Sequence, residues 1–165
     1  MNEEILDELQ HLTHSQSVLL HRLVDLGWLK SAHINKLLDQ LVDDRLEKAR
    51  SYLLFARQLD VTDSVHQPHI ISRCYYAMYH AARAVVLHYR GSDLDDHDRL
   101  PTILGQIVGA RYGELLGNWR KVRNRVDYSP YRPIDLPQLA STALQEGSEM
   151  VDGCERFVRD RRGKL

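Results

Sequence analysis

The segment ISRCYYAMYHAARAVVLHYR occupies positions 71–90 and has the pattern of one long amphipathic helix. Its small and apolar side chains recur at intervals of three and four residues, the period of one face of an α-helix: Cys74, Ala77, Met78, Ala81, Ala84 and Val85. Pro68 lies near the expected first turn, and Gly91 follows the last residue, where glycine commonly ends a helix. The spacing therefore predicts a helix over about 68–90 with one buried face.

Helical periods continue on both sides of this segment. No proline precedes Pro68, and leucines and alanines at threes and fours predict a long helix over about 31–60. Further helices are expected after Pro101, over about 113–128 and over about 135–160. No useful stretch alternates apolar and polar residues as a strand would. The sequence therefore predicts an all-α fold, an up-and-down helical bundle of four to five main helices.

Residues 1–30 are predicted to be an N-terminal helical extension, with short helices over 3–12 and 15–29 and a break at Gly27. Thirty residues are too few to bury a core alone, so we expect one domain whose bundle spans 31–165. The apolar side chains of the extension either cover the core of the bundle or bind a partner: Leu19, Leu20, Leu23, Leu26, Trp28 and Leu29.

Composition limits the possible functions. The chain has 165 residues and a net charge of −1, which disfavours nucleic-acid binding driven by overall charge. A local basic site is compatible with this net charge. The N-terminal MNEEILDELQ lacks the apolar core of a signal peptide, and no run approaches the ~18 apolar residues that span a membrane. Cys74 and Cys154 have no metal-type spacing. We expect a cytoplasmic protein with reduced thiols and no membrane segment.

Metal and cofactor sites are not expected. Two histidine pairs have ligand-like spacing, His66 with His69 and His11 with His14, but no second pair of ligands stands at a matching interval. No nucleophile motif surrounds any serine or cysteine, and the glycines lack the strand–turn–helix context of a phosphate-binding loop.

The segment WRKVRNRVDYSPYRP, positions 119–133, brings four arginines, an asparagine, an aspartate and two tyrosines together at one helix end. Apolar residues at intervals of 4, 3 and 4 predict a buried stripe: Leu115, Trp119, Val122 and Val126. On another face Arg123 and Asp127 are i,i+4 neighbours, with Arg120 and Asn124 beside them. Prolines at 130 and 133 end the helix, which leaves Tyr128 and Tyr131 at its exit.

A second polar face belongs to the 68–90 helix. It presents Arg73, Tyr76, His80 and Arg83 at spacings of 3, 4 and 3, with Tyr75 and Tyr79 adjacent. Buried tyrosine and histidine need hydrogen-bond partners, which the 113–128 helix could supply. The two faces form either a structural polar network or a pocket in which arginine binds phosphate and tyrosine stacks on a base. The residue types alone favour the network.

Four glycines stand four apart, at Gly105, Gly109, Gly113 and Gly117. They could form a close seam between two helices. Alternatively, the spacing is a coincidence and two of them flank a break near Gly109 or Gly113. Because an interior glycine costs about 1 kcal/mol relative to alanine, we favour the break.

Two separated motifs resemble the HEPN superfamily (higher eukaryotes and prokaryotes nucleotide-binding). They are RCYYAMYHAARAVVLHYRG at 73–91, followed by a loop with His97, and RNRVDYSPY at 123–131. The pattern is most similar to an uncharacterised prokaryotic branch with YYAM-aromatic-HAA, a loop histidine and R-x-x-(A/V)-D-Y. The resemblance covers about residues 40–160. It implies a bundle that often dimerises and is commonly encoded with a minimal nucleotidyltransferase, sometimes as a toxin–antitoxin pair.

In ribonuclease members of this family, an arginine followed four to six residues later by a histidine cleaves RNA without a metal. Two protomers bring these motifs together. By resemblance, Arg123 matches the arginine and Asn124 the polar residue that often follows it. The histidine does not match, because positions 127–130 are Asp, Tyr, Ser and Pro. Asp127, with an ordinary pKa near ~3.9, would be a poor proton donor at neutral pH.

The leading hypothesis is a homodimeric HEPN-type bundle that binds a nucleotide, an RNA or a nucleotidyltransferase partner, as one component of a toxin–antitoxin-like pair. The expected ligand-binding residues are Arg120, Arg123, Asn124, Asp127 and Tyr128, faced by Tyr76, His80 and Arg83. The 68–90 and 113–128 helices should then be antiparallel neighbours. One alternative is a metal-independent endoribonuclease that combines Arg123 with His80 or His97. Another is a dimerisation module without a ligand.

Overall fold

The computed structural model describes residues 7–8, 11, 13–130 and 135–162. Within these ranges the chain forms six helices and no strand: α1 His14–Asp25, α2 Ser31–Gln58, α3 His66–Arg90, α4 Leu100–Val108, α5 Ala110–Tyr128 and α6 Leu136–Arg162. The prediction of an all-α helical bundle is confirmed. Most of the helix predicted over 3–12 lies outside the described residues, as do Tyr131 and Pro133.

The four long helices α2, α3, α5 and α6 run up and down. Their directions follow from three pairs of helices, for each of which we compare two side-chain contacts. From one contact to the other, the residue number increases on one helix and decreases on its neighbour, so the two helices run in opposite directions. These contacts are Phe55–Arg73 and Tyr52–His80 for α2 and α3, Ser72–Asp127 and Tyr76–Arg123 for α3 and α5, and Arg57–Ser148 and Arg50–Glu155 for α2 and α6. The prediction that the helices now labelled α3 and α5 are antiparallel neighbours is confirmed.

Helix α3 is the centre of the bundle. It packs against α2, α4, α5 and α6, and sixteen of its residues are buried. All six residues of the predicted stripe are among them, and alanines at several of these positions let the neighbouring helices approach closely. Pro68 is the third residue of α3, where its missing N–H loses no intrahelical bond. Gly91 ends the helix at φ 65°, a left-handed conformation that favours glycine.

Helices α4 and α5 meet at a close glycine contact. Gly109, with φ 128°, forms the break between them, so α5 begins at Ala110 and not at residue 113 as predicted. A Cβ atom on Gly113 would lie 2.4 Å from the carbonyl oxygen of Pro101 and 3.1 Å from Cα of Gly105. The expectation that the glycine spacing is a coincidence was therefore wrong for Gly113, because only hydrogen at this position permits the close contact. A Cβ atom on Gly105 would lie 3.6 Å from Cα of Gly113, which is an ordinary contact.

The predicted stripe of α5 is only partly buried. Trp119 lies in the core and its Nε1 donates to Glu146 on α6 at 2.7 Å, whereas Leu115, Val122 and Val126 are half-buried. Leu116, which the pattern did not select, is fully buried. Helix α5 is an outer helix, and its contacts with both α3 and α4 shift the buried face toward Leu116.

The N-terminal helix α1 is joined to the bundle at the end of α3. Thr13 and Gln16 form a capping box at its start, and the hydroxyl of Ser17 donates to the carbonyl oxygen of Gly91 at 2.9 Å. Several apolar residues of the extension remain exposed: Val18, Leu19, Leu26, Leu29 and Trp28, the last at 79%. For Leu19, Leu26, Trp28 and Leu29, the alternative that they cover the core of their own chain was wrong.

Both cysteines are free and buried, and burial raises the pKa of each thiol to about 12. At neutral pH each is therefore protonated and unreactive. Across the described ranges, every helix is too short or too polar to cross a bilayer.

The glycine contact gives a stability test. We expect Gly113→Ala to lower the free energy of unfolding by about 1–3 kcal/mol, because its methyl group would displace the backbone of α4. Gly117→Ala on the same helix is the matched control, since its nearest neighbour would be 3.8 Å away and alanine favours the helix. Urea unfolding followed by circular dichroism measures both. Equal stability of the two variants would contradict the close contact.

Candidate functional site

Arg123 on α5 is held by three side chains. Its Nε lies 2.8 Å from a carboxylate oxygen of Asp127, one turn later, and its Nη1 donates to the side-chain oxygen of Asn124 at 3.0 Å. Its Nη2 donates to the hydroxyl of Tyr76 on α3. The predicted proximity of Tyr76 to Arg123 is confirmed. Three partners on two helices fix the guanidinium in one orientation, with its side chain 13% exposed.

Aromatic rings surround the same guanidinium. Its central carbon lies 5.0 Å from the ring centroid of Tyr76, 5.8 Å from that of Tyr75 and 5.1 Å from that of Tyr128. Tyr128 is the last residue of α5 and is 72% exposed. A guanidinium has five N–H donors. In Arg123, Nη1 and Nη2 each use one of their two N–H groups, and Nε pairs with Asp127 by charge without a hydrogen bond. One N–H group on each of Nη1 and Nη2 is therefore left for a ligand. The arrangement suits an anionic group with an aromatic ring beside it.

Asp127 and Arg120 connect this centre to its surroundings. Asp127 accepts a hydrogen bond from the hydroxyl of Ser72 on α3 at 3.2 Å, in addition to its ion pair with Arg123. Arg120, one turn before Asn124, forms an ion pair with Asp98 in the loop between α3 and α4. Arg120 therefore lies beside the centre and joins it to the loop, while Asp127 helps to hold α5 against α3.

His97 lies in that loop, next to the arginines. Its ring stacks on Tyr79 with centroids 4.0 Å apart, and its Nδ1 is 2.6 Å from the hydroxyl oxygen of Tyr75. Burial lowers the pKa of His97, and the positive charge of Arg123 lowers it further. Burial also raises the pKa of Tyr75 to about 12, so this hydroxyl keeps its proton. His97 is thus a neutral imidazole at pH 7, on the side of the bundle that faces Arg123.

His80 and Arg83 do not join Arg123. Within the described residues no contact links either side chain to Arg123, so the structure does not bring them together with it as it does Tyr76. Their role in ligand binding stays a prediction. Arg83 is seven residues after Tyr76, which places it ~10 Å further along α3. There it pairs with two loop carboxylates, Asp93 at 3.0 Å and Asp95 at 2.8 Å.

The carboxylates around Arg83 were not selected from the sequence. The side chain of Asp93 is 2% exposed and also pairs with Arg45 on α2, so one carboxylate joins two helices. Asp95 accepts from the hydroxyl of Tyr79 at 2.6 Å. In the sequence these residues belong to a polar loop that has neither helical nor strand periodicity. Only the rule that a buried arginine requires a carboxylate nearby could have pointed to them.

Six aromatic rings lie between the Arg123 centre and the Arg83 ion pairs. This aromatic cluster consists of Tyr52, Tyr75, Tyr76, Tyr79, His80 and His97. Tyr52 on α2, which the sequence did not single out, stacks on both Tyr76 and His80. The rings fill the space between helices and hold the two polar groups apart.

Metal binding has no geometric basis in the part of the chain that the structure describes. No three His, Cys, Asp or Glu side chains there are grouped as a metal site would require. The polar chemistry of these residues is that of guanidinium, carboxylate, hydroxyl and imidazole groups.

Burial of His80 predicts a pH dependence of stability. Burial lowers the pKa of His80 from its ordinary value of 6.5 to about 4, and nearby Lys48, Arg45 and Arg83 contribute. Above pH 6.5 the ring is neutral whether the chain is folded or unfolded. Between pH 6.5 and 4 the unfolded chain takes up the proton first, so the free energy of unfolding should fall by up to about 3 kcal/mol.

Urea unfolding at several pH values measures this dependence. His80→Phe keeps a stacking ring but cannot be protonated, so its stability should fall less over the same window. The control is His69→Phe, at an exposed position on the same helix, where the ring remains in water in both states. Identical pH profiles for wild type and His80→Phe would contradict the assignment.

Comparisons with known proteins do not place the chain in a family. No model of a known protein family matches it, and no curated protein is similar to it. The resemblance to the HEPN superfamily stays a prediction that rests on the residues of the two motifs.

Proposed function

We propose that this protein binds a nucleotide or a single-stranded RNA through Arg123. The observation that supports this most directly is the guanidinium itself, fixed by Tyr76, Asn124 and Asp127 with two donors left over. An arginine in a fixed orientation binds phosphate with less loss of side-chain entropy than a mobile one. The exposed ring of Tyr128 beside it offers a surface on which a base could stack.

The HEPN resemblance extends this proposal to assembly and context. The motifs at 73–91 and 123–131 favour a HEPN-type homodimer that acts in the cytoplasm with a minimal nucleotidyltransferase, as one component of a toxin–antitoxin-like pair. In such a pair Arg123 would contact either the nucleotide, the RNA or the partner enzyme. This part of the proposal rests on the order and spacing of the motifs alone.

A second candidate function is metal-independent RNA cleavage by Arg123 and His97. The position of His97 favours it, since its Nδ1 lies 2.6 Å from the hydroxyl of Tyr75, whose ring centroid lies 5.8 Å from the Arg123 guanidinium. The ring of His80 instead contacts Tyr52 and Tyr79. Arginine would stabilise charge on the scissile phosphate, and neutral His97 would take a proton from the attacking hydroxyl. Tyr75 could hold the required tautomer, because its hydroxyl both donates and accepts. Asp127 is not available for this step, since Arg123 and Ser72 engage it.

One experiment tests binding and cleavage together. Labelled single-stranded RNA of mixed sequence is titrated with wild type and with Arg123→Ala, and fluorescence anisotropy gives the dissociation constant. We expect Arg123→Ala to weaken binding about tenfold or more, as the loss of a charge-assisted contact predicts. Arg125→Ala is the matched control, because Arg125 is exposed on the same helix two residues away. Equal affinities for wild type and Arg123→Ala would remove the proposed binding site.

The same mixtures, incubated with a chelator and separated on a gel, report cleavage. The binding proposal expects intact RNA with the isolated protein. Cleavage lost in Arg123→Ala and in His97→Gln, but retained in His80→Phe, would instead establish the second candidate. If neither binding nor cleavage is observed, the third possibility remains, a dimerisation module without a ligand.

Assembly is tested separately. We expect light scattering at micromolar concentration to give twice the 19.2 kDa mass of one chain, with Arg123 near the two-fold interface or its cleft. A monomer across this range would contradict the dimer. It would also weaken the cleavage candidate, in which two protomers share one site.

A further inference from the structure

A cavity of about 390 Å³ opens on the opposite side of the aromatic cluster from Arg123. Its lining comprises His11 and Thr13, which precede α1, together with six side chains of the bundle and its α3–α4 loop: Arg45, Lys48, His80, Arg83, Asp93 and Asp95. Of these six, helix α2 supplies the first two, α3 the next two and the α3–α4 loop the carboxylates. Three cationic side chains in one small cavity suggest an anionic occupant.

His80 has an unmet hydrogen-bonding requirement at this cavity. The residue is 7% exposed, and its Nδ1 has no hydrogen-bond partner among the described residues. Tyr52 stacks on the ring with an interplanar angle of 7° and fixes its plane. A half-turn of the ring about its Cβ–Cγ bond returns it to the same plane and exchanges each nitrogen with a carbon. Either nitrogen can therefore be presented to a ligand. A buried imidazole without a partner is unfavourable unless something else binds it.

The charges of the cavity do not cancel. Asp93 is shared by Arg45 and Arg83, and Asp95 is bound by Arg83 and Tyr79. The remaining cation is Lys48, which is exposed and forms no ion pair within the described ranges. With His80 neutral, the six side chains therefore carry an excess of one positive charge.

We propose that this cavity is a second anion site, which binds one phosphate group between Lys48, Arg45 and His80. Lys48 supplies the uncompensated charge, Arg45 adds a second cation, and the neutral imidazole donates one N–H to a phosphate oxygen. The site is separate from the Arg123 centre, since it uses different side chains and lies further along α3. It does not depend on the proposed function. Free phosphate and a nucleotide both carry such a group, and the experiment below distinguishes the two.

The test follows the His80 Cε1–H resonance of the full chain by NMR. Inorganic phosphate and adenosine 5′-monophosphate are titrated separately, with chloride at matched ionic strength as the reference. The spectrum of His80→Phe identifies the resonance. We expect the resonance of wild type to shift saturably with phosphate. In Lys48→Gln the midpoint of the titration should need about tenfold more phosphate. Lys36 is an exposed lysine on the same helix, and Lys36→Gln should leave the titration unchanged.

Each outcome decides the proposal. A Lys48-dependent shift with inorganic phosphate supports the site and assigns free phosphate as its ligand. A Lys48-dependent shift seen only with adenosine 5′-monophosphate supports the site and assigns a nucleotide. No saturable shift with either probe, or a shift that Lys48→Gln does not weaken, overturns it. Arg123→Ala should keep the His80 response. A response lost in that variant would overturn the claim of a separate site, whereas loss of RNA binding alone would concern only the Arg123 centre.

Discussion

The burial of α3 on all sides is the constraint on which the rest of the structure depends. A helix that packs against four others must bury polar side chains as well as its alanine and valine face. Tyr75, Tyr79 and Arg83 therefore need partners inside the protein, because a buried polar group without one is strongly destabilising. Neighbouring elements supply these partners. The loop after α3 contributes Asp93, Asp95 and His97, and α5 contributes Arg123 to the same helix.

Local periodicity was sufficient to predict the long helices, the buried face of α3 and one side of the site. The stripe from Cys74 to Val85 predicted the buried face of α3, and the i,i+4 relation placed Asp127 beside Arg123. Antiparallel packing then brought Tyr76 to the same point. The sequence failed where a residue outside any helical period determines a contact. Asp93 lies in an irregular loop, and Tyr52 meets His80 only through the packing of α2 on α3.

The close contact of Gly105 and Gly113 shows a different limit of sequence reasoning. The intrinsic cost of glycine in a helix is a local quantity, whereas the space available to a Cβ atom depends on the neighbouring helix. At Gly113 the carbonyl of Pro101 occupies that space, and at Gly117 it does not. Two glycines with the same local pattern therefore have different roles, and no property of α5 alone separates them.

Arg83 and Arg123 show how the same side chain can serve different purposes on the two sides of the aromatic cluster. Arg83 pairs with two carboxylates and also contacts the hydroxyl of Tyr79, so its charge is compensated and its donors are largely used. Arg123 pairs with one carboxylate and two neutral oxygens. A structural ion pair gains from full compensation, because removing charge from water is unfavourable unless it is neutralised. An arginine that is fixed but incompletely satisfied can still bind an anion. The difference in partners thus favours Arg83 as a structural residue and Arg123 as the centre of a binding site.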